Sequence, residues 1–472
     1  MLYFKNTSLR FHGTAALIST IGLLASIANA QDLSNTASSS GSLTRATLAN
    51  GIHILIKREP STPLIALDAF IKVGKANENA DNAGISTFVA RTLLASTTNA
   101  THEEVASDIG SLGGNVTVSS LPDYTVVSAL TVPDQFDNAE YIVTNALKNA
   151  DFDAKDVDAS RDDLLTDIDS ATSSLFESGI QTVQSILYGN TGLALPDIGT
   201  RDTVEHLRRS DLIRFFHRFY IPQNITIVVT GNVDPQRAIA ELSSSLEDMP
   251  AGRKNDVDFT DPVTIQNRNF EPATNQVVDL KQVSVLVAFQ APPVSNKDYA
   301  AMIVANAIVG GMKSSRMFRE IREKQGLSYE LGSVYEATDS TGILAAYAMA
   351  SPTHTDRVTL KDEPSAPILQ SLMLAIFSSM STTPPSLSEI HRAQHFIIGS
   401  YNIKHERIED RAALLGSAEL ESNYGADWDQ HFASYITAVT PEDIARITAR
   451  YFVHPIIVTQ VPDTPGRTVH IE

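Results

Sequence analysis

The amino-acid sequence predicts an α+β protein built from two similar α/β-sandwich domains. Three observations carry that expectation. Strand-like and helix-like stretches alternate from residue 43 onward, and the order of elements in the first half returns in the second. Asp211, Arg214 and Arg218 recur as Asp443, Arg446 and Arg450, each 232 residues later, each set on a helical pattern before a closing strand. Between the halves, residues 250–271 accumulate Pro, Gly, Asp and Asn while apolar periodicity fades, which is the composition of a joint. A single repeat of this size means two homologous domains and not a solenoid. The predicted division is 43–249, a linker at 250–271, and 272–472.

Residues 51–57 and 64–73 are apolar and β-branched, with Pro60 and Pro63 between them, and read as a strand pair. Residues 83–95 and 103–112 carry helical periodicity, and Gly113-Gly114 stops the second helix. Strands are expected at 115–120 and 124–132, followed by a mostly helical stretch over 134–187. A capped helix at 210–220 leads into a strand at 225–230. In the second half a strand at 283–290 precedes helices at 298–309 and 314–324, and strands follow near 327–335 and 342–350. After more helix, a helical pattern at 440–452 and a strand at 455–460 complete the repeat.

Composition narrows the function. The chain has 472 residues, 36 Lys plus Arg against 55 Asp plus Glu, a net charge of −19, and no cysteine. The missing thiol excludes disulfide scaffolds, thiolate zinc sites, cysteine nucleophiles and thiol redox chemistry. Non-specific nucleic-acid binding and docking on anionic lipid both need clustered Lys and Arg, so the acidic balance argues against each. A hydrophobic share of 43% supplies real cores.

The first thirty residues form a separate segment. Lys5 and Arg10 begin it, an apolar run covers 14–28, and Ala28-Asn29-Ala30 has the small-x-small form of a cleavage site. The run is shorter than the roughly 20 residues that span a bilayer, and residues 1–30 fit a secretory signal peptide. The mature chain is therefore expected to be exported, periplasmic or secreted, without a membrane anchor, starting near Gln31. Losing Lys5 and Arg10 takes its charge to −21. Residues 31–42, rich in Ser, Asn, Thr and Gly, read as a flexible leader.

Several long motifs are more specific. They are Leu195-Pro196-Asp197-Ile198-Gly199-Thr200, the helix at 212–220, and Tyr220-Ile221-Pro222-Gln223-Asn224 with Gly231-Asn232-Val233-Asp234. A second set is Gly310-Gly311-Met312-Lys313-Ser314-Ser315-Arg316-Met317-Phe318 running into Arg322-Glu323-Lys324-Gln325-Gly326-Leu327-Ser328-Tyr329. In this order, over residues 43–462, they resemble the pitrilysin/insulinase (inverzincin) clan of zinc peptidases. Mitochondrial processing peptidase and the core subunits of the bc1 complex look like the same architecture. The resemblance implies one half of a clamshell that closes around an extended peptide.

In that clan two histidines at i and i+4 on one helix, with a glutamate just before the second, hold zinc and supply a general base, and a glutamate from a later helix completes the set. The matching stretch here is Gly84-Ile85-Ser86-Thr87-Phe88-Val89-Ala90-Arg91. Thr87 stands in the place of the first histidine, Ala90 in the place of the base, and Arg91 in the place of the second histidine. Asp167, 80 residues after Thr87, takes the place of the third ligand. A methyl group cannot abstract a proton and a guanidinium is a permanent cation, so no metal is expected on this chain and no complete catalytic set exists on it. Arg91 either pairs with Asp167, the cation filling the space of the metal, or snorkels to solvent from the same helix face.

Arg322 and Tyr329 match the positions from which the clan's second domain reaches substrate. A guanidinium and a phenol can donate to a substrate carbonyl and to the oxyanion that develops on it. Read without the family, the same residues could cap a helix C-terminus and pack on a strand. Loss of one half-site beside an intact second one resembles the zinc-less subunit of the clan's two-chain bacterial members. That implies a heterodimer with a zinc-bearing homologous subunit and unfolded or extended peptides as substrate. The rival expectations are a pseudo-peptidase serving as peptide-binding or assembly scaffold, and a self-sufficient peptidase with another metal site. His391 and His395 have i,i+4 spacing but lack an intervening glutamate, and His102-Glu103-Glu104 lacks a second histidine at Ala106. Gly310-Gly311 is only a short counterpart of the glycine-rich loop of the mitochondrial α-subunit.

Overall fold

The computed structural model describes residues 43–171, 175–251, 273–277, 281–355, 361–420 and 425–462. The expected signal peptide, the leader and the linker beyond Ala251 lie outside the described residues.

In the first half β1 (Leu43–Thr47), β2 (His53–Arg58), β3 (Ile65–Ile71), β4 (Asn115–Ser120), β5 (Thr125–Thr131) and β6 (Ile225–Gly231) form one sheet in the order β1-β2-β6-β3-β5-β4. β6 is buried at every position, so both of its faces need cover and it takes a central place. It runs parallel to β2, with His53 opposite Thr226, and antiparallel to β3, with Ile65 opposite Gly231. This corrects the expected pairing of the 51–57 and 64–73 stretches. A strand apolar on both faces is stabilised only between two neighbours, and it displaces the sequence-local hairpin. β5 alternates, burying Thr125, Val127, Ala129 and Thr131, and β4 forms a half-exposed edge.

The helices of this half are α1 (Ile85–Thr92), α2 (His102–Ser111), α3 (Phe136–Asn149), α4 (Ala154–Ala171), α5 (Leu175–Tyr188), α6 (Arg201–His206), α7 (Arg209–Phe219) and α8 (Pro235–Leu246). In the second half β7 (Ala273–Val277), β8 (Val283–Ala291), β9 (Glu330–Ala337) and β10 (Gly342–Ala350) are followed by a small pair, β11 (Thr353–Thr355) and β12 (Asp362–Pro364), and by β13 (Ile456–Pro462). The main sheet has the order β7-β13-β8-β10-β9. Its helices are α9 (Tyr299–Asn306), α10 (Ser365–Thr382), α11 (Leu387–Lys404), α12 (Ile408–Leu420), α13 (Trp428–Thr437) and α14 (Pro441–Tyr451). The helix expected at 298–309 widens into a π segment at Ala307–Gly311, and the one expected at 314–324 is π-wound over Phe318–Lys324.

The repeat is visible at the closing helices. On α7 Asp211 Oδ2 accepts from Arg208 N at 2.8 Å, and on α14 Asp443 Oδ2 accepts from Thr440 N at 3.1 Å. Arg214 and Arg446 each pair with the aspartate three residues earlier. The halves also exchange cover. α5 lays Ile180, Val183 and Leu187 on Leu286, Ala288, Ala345 and Val458 of the second sheet. α12 lays Ile408, Ala412 and Leu415 on Leu55, Ala66, Phe70 and Val228 of the first. Each large aliphatic side chain buried this way is worth roughly 1.5–3 kcal/mol, so apolar cover ties the halves together. Among the described residues no helix is long and apolar enough to cross a membrane.

Candidate functional site

α1 folds because Ile85, Phe88 and Val89 lie on one stripe and enter the first core with Leu93 just beyond the helix. Its amino end is capped from outside. Glu78 Oε2 accepts from Gly84 N at 2.7 Å and Oε1 from Ser86 N at 2.9 Å, while the Ser86 hydroxyl also donates to Oε1. Burial pushes Glu78 up to about 7, against the Ser86 and Gly84 hydrogen bonds and the nearby Lys75 charge. Lys75 is itself buried and donates to Asp197 Oδ1 at 2.7 Å and Gln184 Oε1 at 3.2 Å.

The positions expected to be degenerate, Thr87, Ala90 and Arg91, all lie on α1. Thr87 Oγ1 donates to the Asp197 carbonyl at 2.6 Å, and Ala90 is buried. Arg91 Nη2 lies 2.5 Å from Asp167 Oδ2 on α4, with the two side chains 34% and 50% exposed. Of the two arrangements open to Arg91, the structure has the ion pair. Nearby, Arg161 of α4 sits over the Phe88 ring at 5.2 Å and donates to the Leu207 carbonyl at 2.8 Å, fastening α4 to α1 and α6.

These residues do not fit a zinc ion. The set comprises a hydroxyl already donating to a carbonyl, a methyl, a guanidinium, and one carboxylate already bonded to that guanidinium. Zinc takes neutral imidazole, thiolate or free carboxylate, and the cation occupies the one carboxylate present. His391 and His395 are exposed on α11, and no group of three or more His, Asp or Glu among the described residues could hold a metal.

The second half holds the other pair. Arg316 is 7% exposed and donates to Glu389 Oε1 at 3.1 Å, Ser379 Oγ at 2.9 Å and the Thr383 carbonyl at 3.1 Å. It anchors the Phe318–Lys324 segment on α10 and α11. Burial alone would raise Glu389, but the Arg316 hydrogen bond holds it below the usual carboxylate range. The segment ends at Gly326, whose φ of +63° suits a residue without Cβ. Gly326 N donates to the Arg322 carbonyl and Leu327 N to the Ile321 carbonyl, each at 3.0 Å. This reversal brings Arg322 to Tyr329. The Arg322 guanidinium carbon lies 4.8 Å from the Phe318 ring centre and 5.3 Å from that of Tyr329, and Nη1 donates to the Tyr329 carbonyl at 3.3 Å. Tyr329 is 76% exposed, immediately before the edge strand β9. A packed phenol on a strand would be covered, so the strand-packing reading of Tyr329 does not describe it.

Each predicted pair is thus assembled, Arg91 with Asp167 in the first half and Arg322 with Tyr329 in the second. The polar seam between the halves has no signal in the sequence. Asp123 Oδ2 accepts from Asp339 N at 3.0 Å across it. Burial pushes Glu336 of β9 up to about 7, with Asp197 raising it further and Lys75 opposing. Nothing in sequence spacing links residues this far apart.

Residues 53–201 match the family description "Insulinase (Peptidase family M16)" and residues 206–396 match "Peptidase M16 inactive domain". An uncharacterized zinc protease of Rickettsia felis is 25% identical over 420 residues, which cover 87% of this chain and 92% of the relative. The fold is similar to that of a protease from Helicobacter pylori, with a TM-score of 0.79 and 18% identity over 90% of this chain and 100% of that one. It is also similar to a chain of complex III2 from Candida albicans, with a TM-score of 0.73 and 16% identity over 89% and 96% of the two chains. With both halves matched and the two-domain fold shared, the chain belongs to peptidase family M16, the pitrilysin/insulinase family.

Proposed function

We propose that this chain is the non-catalytic, zinc-less subunit of a two-chain periplasmic zinc metallopeptidase. It lends Arg322 and Tyr329 to a zinc-bearing partner of the same family for the hydrolysis of unfolded or extended peptides. One observation carries the reading: Arg91 is bonded to Asp167, the two residues matched to metal ligands by the resemblance, whereas Arg322 and Tyr329 stand together with the tyrosine open to solvent. The guanidinium is held between two rings and is positioned before any ligand arrives. It can donate to a peptide carbonyl while the phenol donates to the oxyanion, and losing one such donor costs about 10²–10³ in rate. The edge strands β4 and β9 offer main-chain groups to which an extended peptide can add.

The test uses the mature chain alone and mixed with a zinc-bearing family member from the same organism. Bound zinc and cleavage of an unstructured peptide are measured. The expected result is neither zinc nor cleavage alone, cleavage in the mixture, and a loss of about 10²-fold on Arg322→Ala or Tyr329→Phe. Full activity of the chain alone, or unchanged mixtures carrying either variant, would sink the proposal. The fold shared with a chain of complex III2 favours a second reading, a peptide-binding or assembly scaffold. That reading predicts peptide or partner binding with no gain in cleavage in any mixture.

A further inference from the structure

We infer that the first repeat carries a binding site for a peptide carboxylate, in the cavity between α7 and the loop leading into α1. The second repeat supplies the template. Asp298, at the amino end of α9, is fully buried, and its Oδ1 accepts from Arg446 Nη1 at 2.5 Å. Arg450 Nη1 lies 3.7 Å from its Oδ2 and the Tyr451 hydroxyl 3.4 Å. Arg446 also holds Asp443, at 2.9 Å. Two arginines one turn apart on α14 thus clamp an internal carboxylate.

The first repeat keeps the clamp. Arg214 and Arg218 occupy the same positions of α7, Asp211 holds Arg214 as Asp443 holds Arg446, and Phe219 replaces Tyr451. α1 packs on α7 as α9 packs on α14, and the residue before α1 is Gly84 where α9 has Asp298. Gly84 cannot carry a carboxylate. Its φ is +87°, and an added Cβ would lie 2.6 Å from Gly199 Cα. Beside Gly84 there is a cavity of about 800 Å³, lined by Arg214, Arg218, His206, Ile85, Phe215 and Phe219 among others. That volume lies within the range of small-ligand pockets.

The lining defines the ligand class. Two guanidiniums make charge-assisted hydrogen bonds to one carboxylate, and Ile85 with the two phenyl rings accepts an apolar group attached to it. Glu78, Asp81 and Asp211 also line the cavity and disfavour dianions such as phosphate. The carboxylate can be a chain terminus or an acidic side chain. The site sits at the opposite end of α1 from Arg91 and in the other half from Arg322 and Tyr329, so it is independent of the role proposed for them.

Calorimetric titration of the full mature chain with three acetylated peptides tests it: one ending in Phe with a free carboxylate, the same peptide amidated, and an amidated peptide carrying Asp beside Phe. At least one acidic peptide is expected to bind about ten-fold or more tightly than the neutral amide, and which one binds identifies the source of the carboxylate. Arg218→Gln is expected to abolish the preference. Phe219→Tyr restores the hydroxyl that Tyr451 gives to Asp298, and should tighten acid binding roughly three-fold while leaving the amide unchanged. This variant keeps the test valid if Arg218→Gln fails to fold. Equal binding of neutral and acidic peptides, no binding of any, or an acid preference indifferent to both substitutions would overturn the assignment.

Discussion

Asp68 should make the protein less stable at high pH than its amide counterpart. It lies on β3 opposite Ser128 and Val228, 2% exposed, on the face that Ala66 and Phe70 share and α12 covers. Its Oδ2 accepts no hydrogen bond among the described residues. Burial pushes its carboxyl from the ordinary 3.8 up to about 7; the Ser128 hydrogen bond opposes this and Glu409 adds to it. The folded state therefore holds the proton more tightly than the unfolded chain does. The stabilising contribution is complete below 3.8, declines as pH rises through 7, and is gone above it. At about 1.36 kcal/mol per pH unit, the interval amounts to about 4 kcal/mol. Asp68→Asn keeps the shape and removes the titration. Urea unfolding followed by circular dichroism should show the two proteins nearly equal at pH 4, with the variant ahead by up to about 4 kcal/mol at pH 8. Glu78 and Glu336, also held near 7, titrate in both proteins, so the difference isolates Asp68. Parallel stability curves across that range would refute the reasoning.

Gly416→Leu should unlock the exchanged helix, because a Cβ there would lie 2.0 Å from Phe70 Cε2; a loss of roughly 3 kcal/mol or more is expected, read by calorimetry as an earlier melting of the first sheet. Arg91→Ala should cost no more than about 1 kcal/mol, since its pair with Asp167 is one-third to one-half exposed, and metal analysis should find zinc still at background. The His405 ring lies 4.2 Å from that of Tyr401, tilted by 59°, and burial, then the Lys404 charge, depress it from 6.5 to about 4. The folded state binds that proton less readily, so stability falls as pH drops from 6.5 toward 4. His405→Gln should flatten this acid limb, and melting temperatures measured between pH 4 and 7 check it.

What the sequence determined by itself is local or motif-borne. Period-two and helical patterns placed most elements within a few residues, because a strand or helix buries its apolar face wherever it ends up. The loss of ligand atoms expected at Arg91 and Asp167, and the donors expected at Arg322 and Tyr329 beside Gly326, follow from residue type within the family's motifs and need no coordinates. The tertiary structure decided what depends on contact between distant segments. It set β6 between β2 and β3, laid α5 and α12 across the opposite sheets, and brought Lys75, Asp197 and Glu336 to one seam. It also paired Arg91 with Asp167, the arrangement that the cost of a lone charge favours over a guanidinium turned to solvent. Periodicity records which face of an element is apolar but not which partner covers it. Desolvation, which moves Asp68, Glu78 and Glu336 to about 7, is a property of that cover alone.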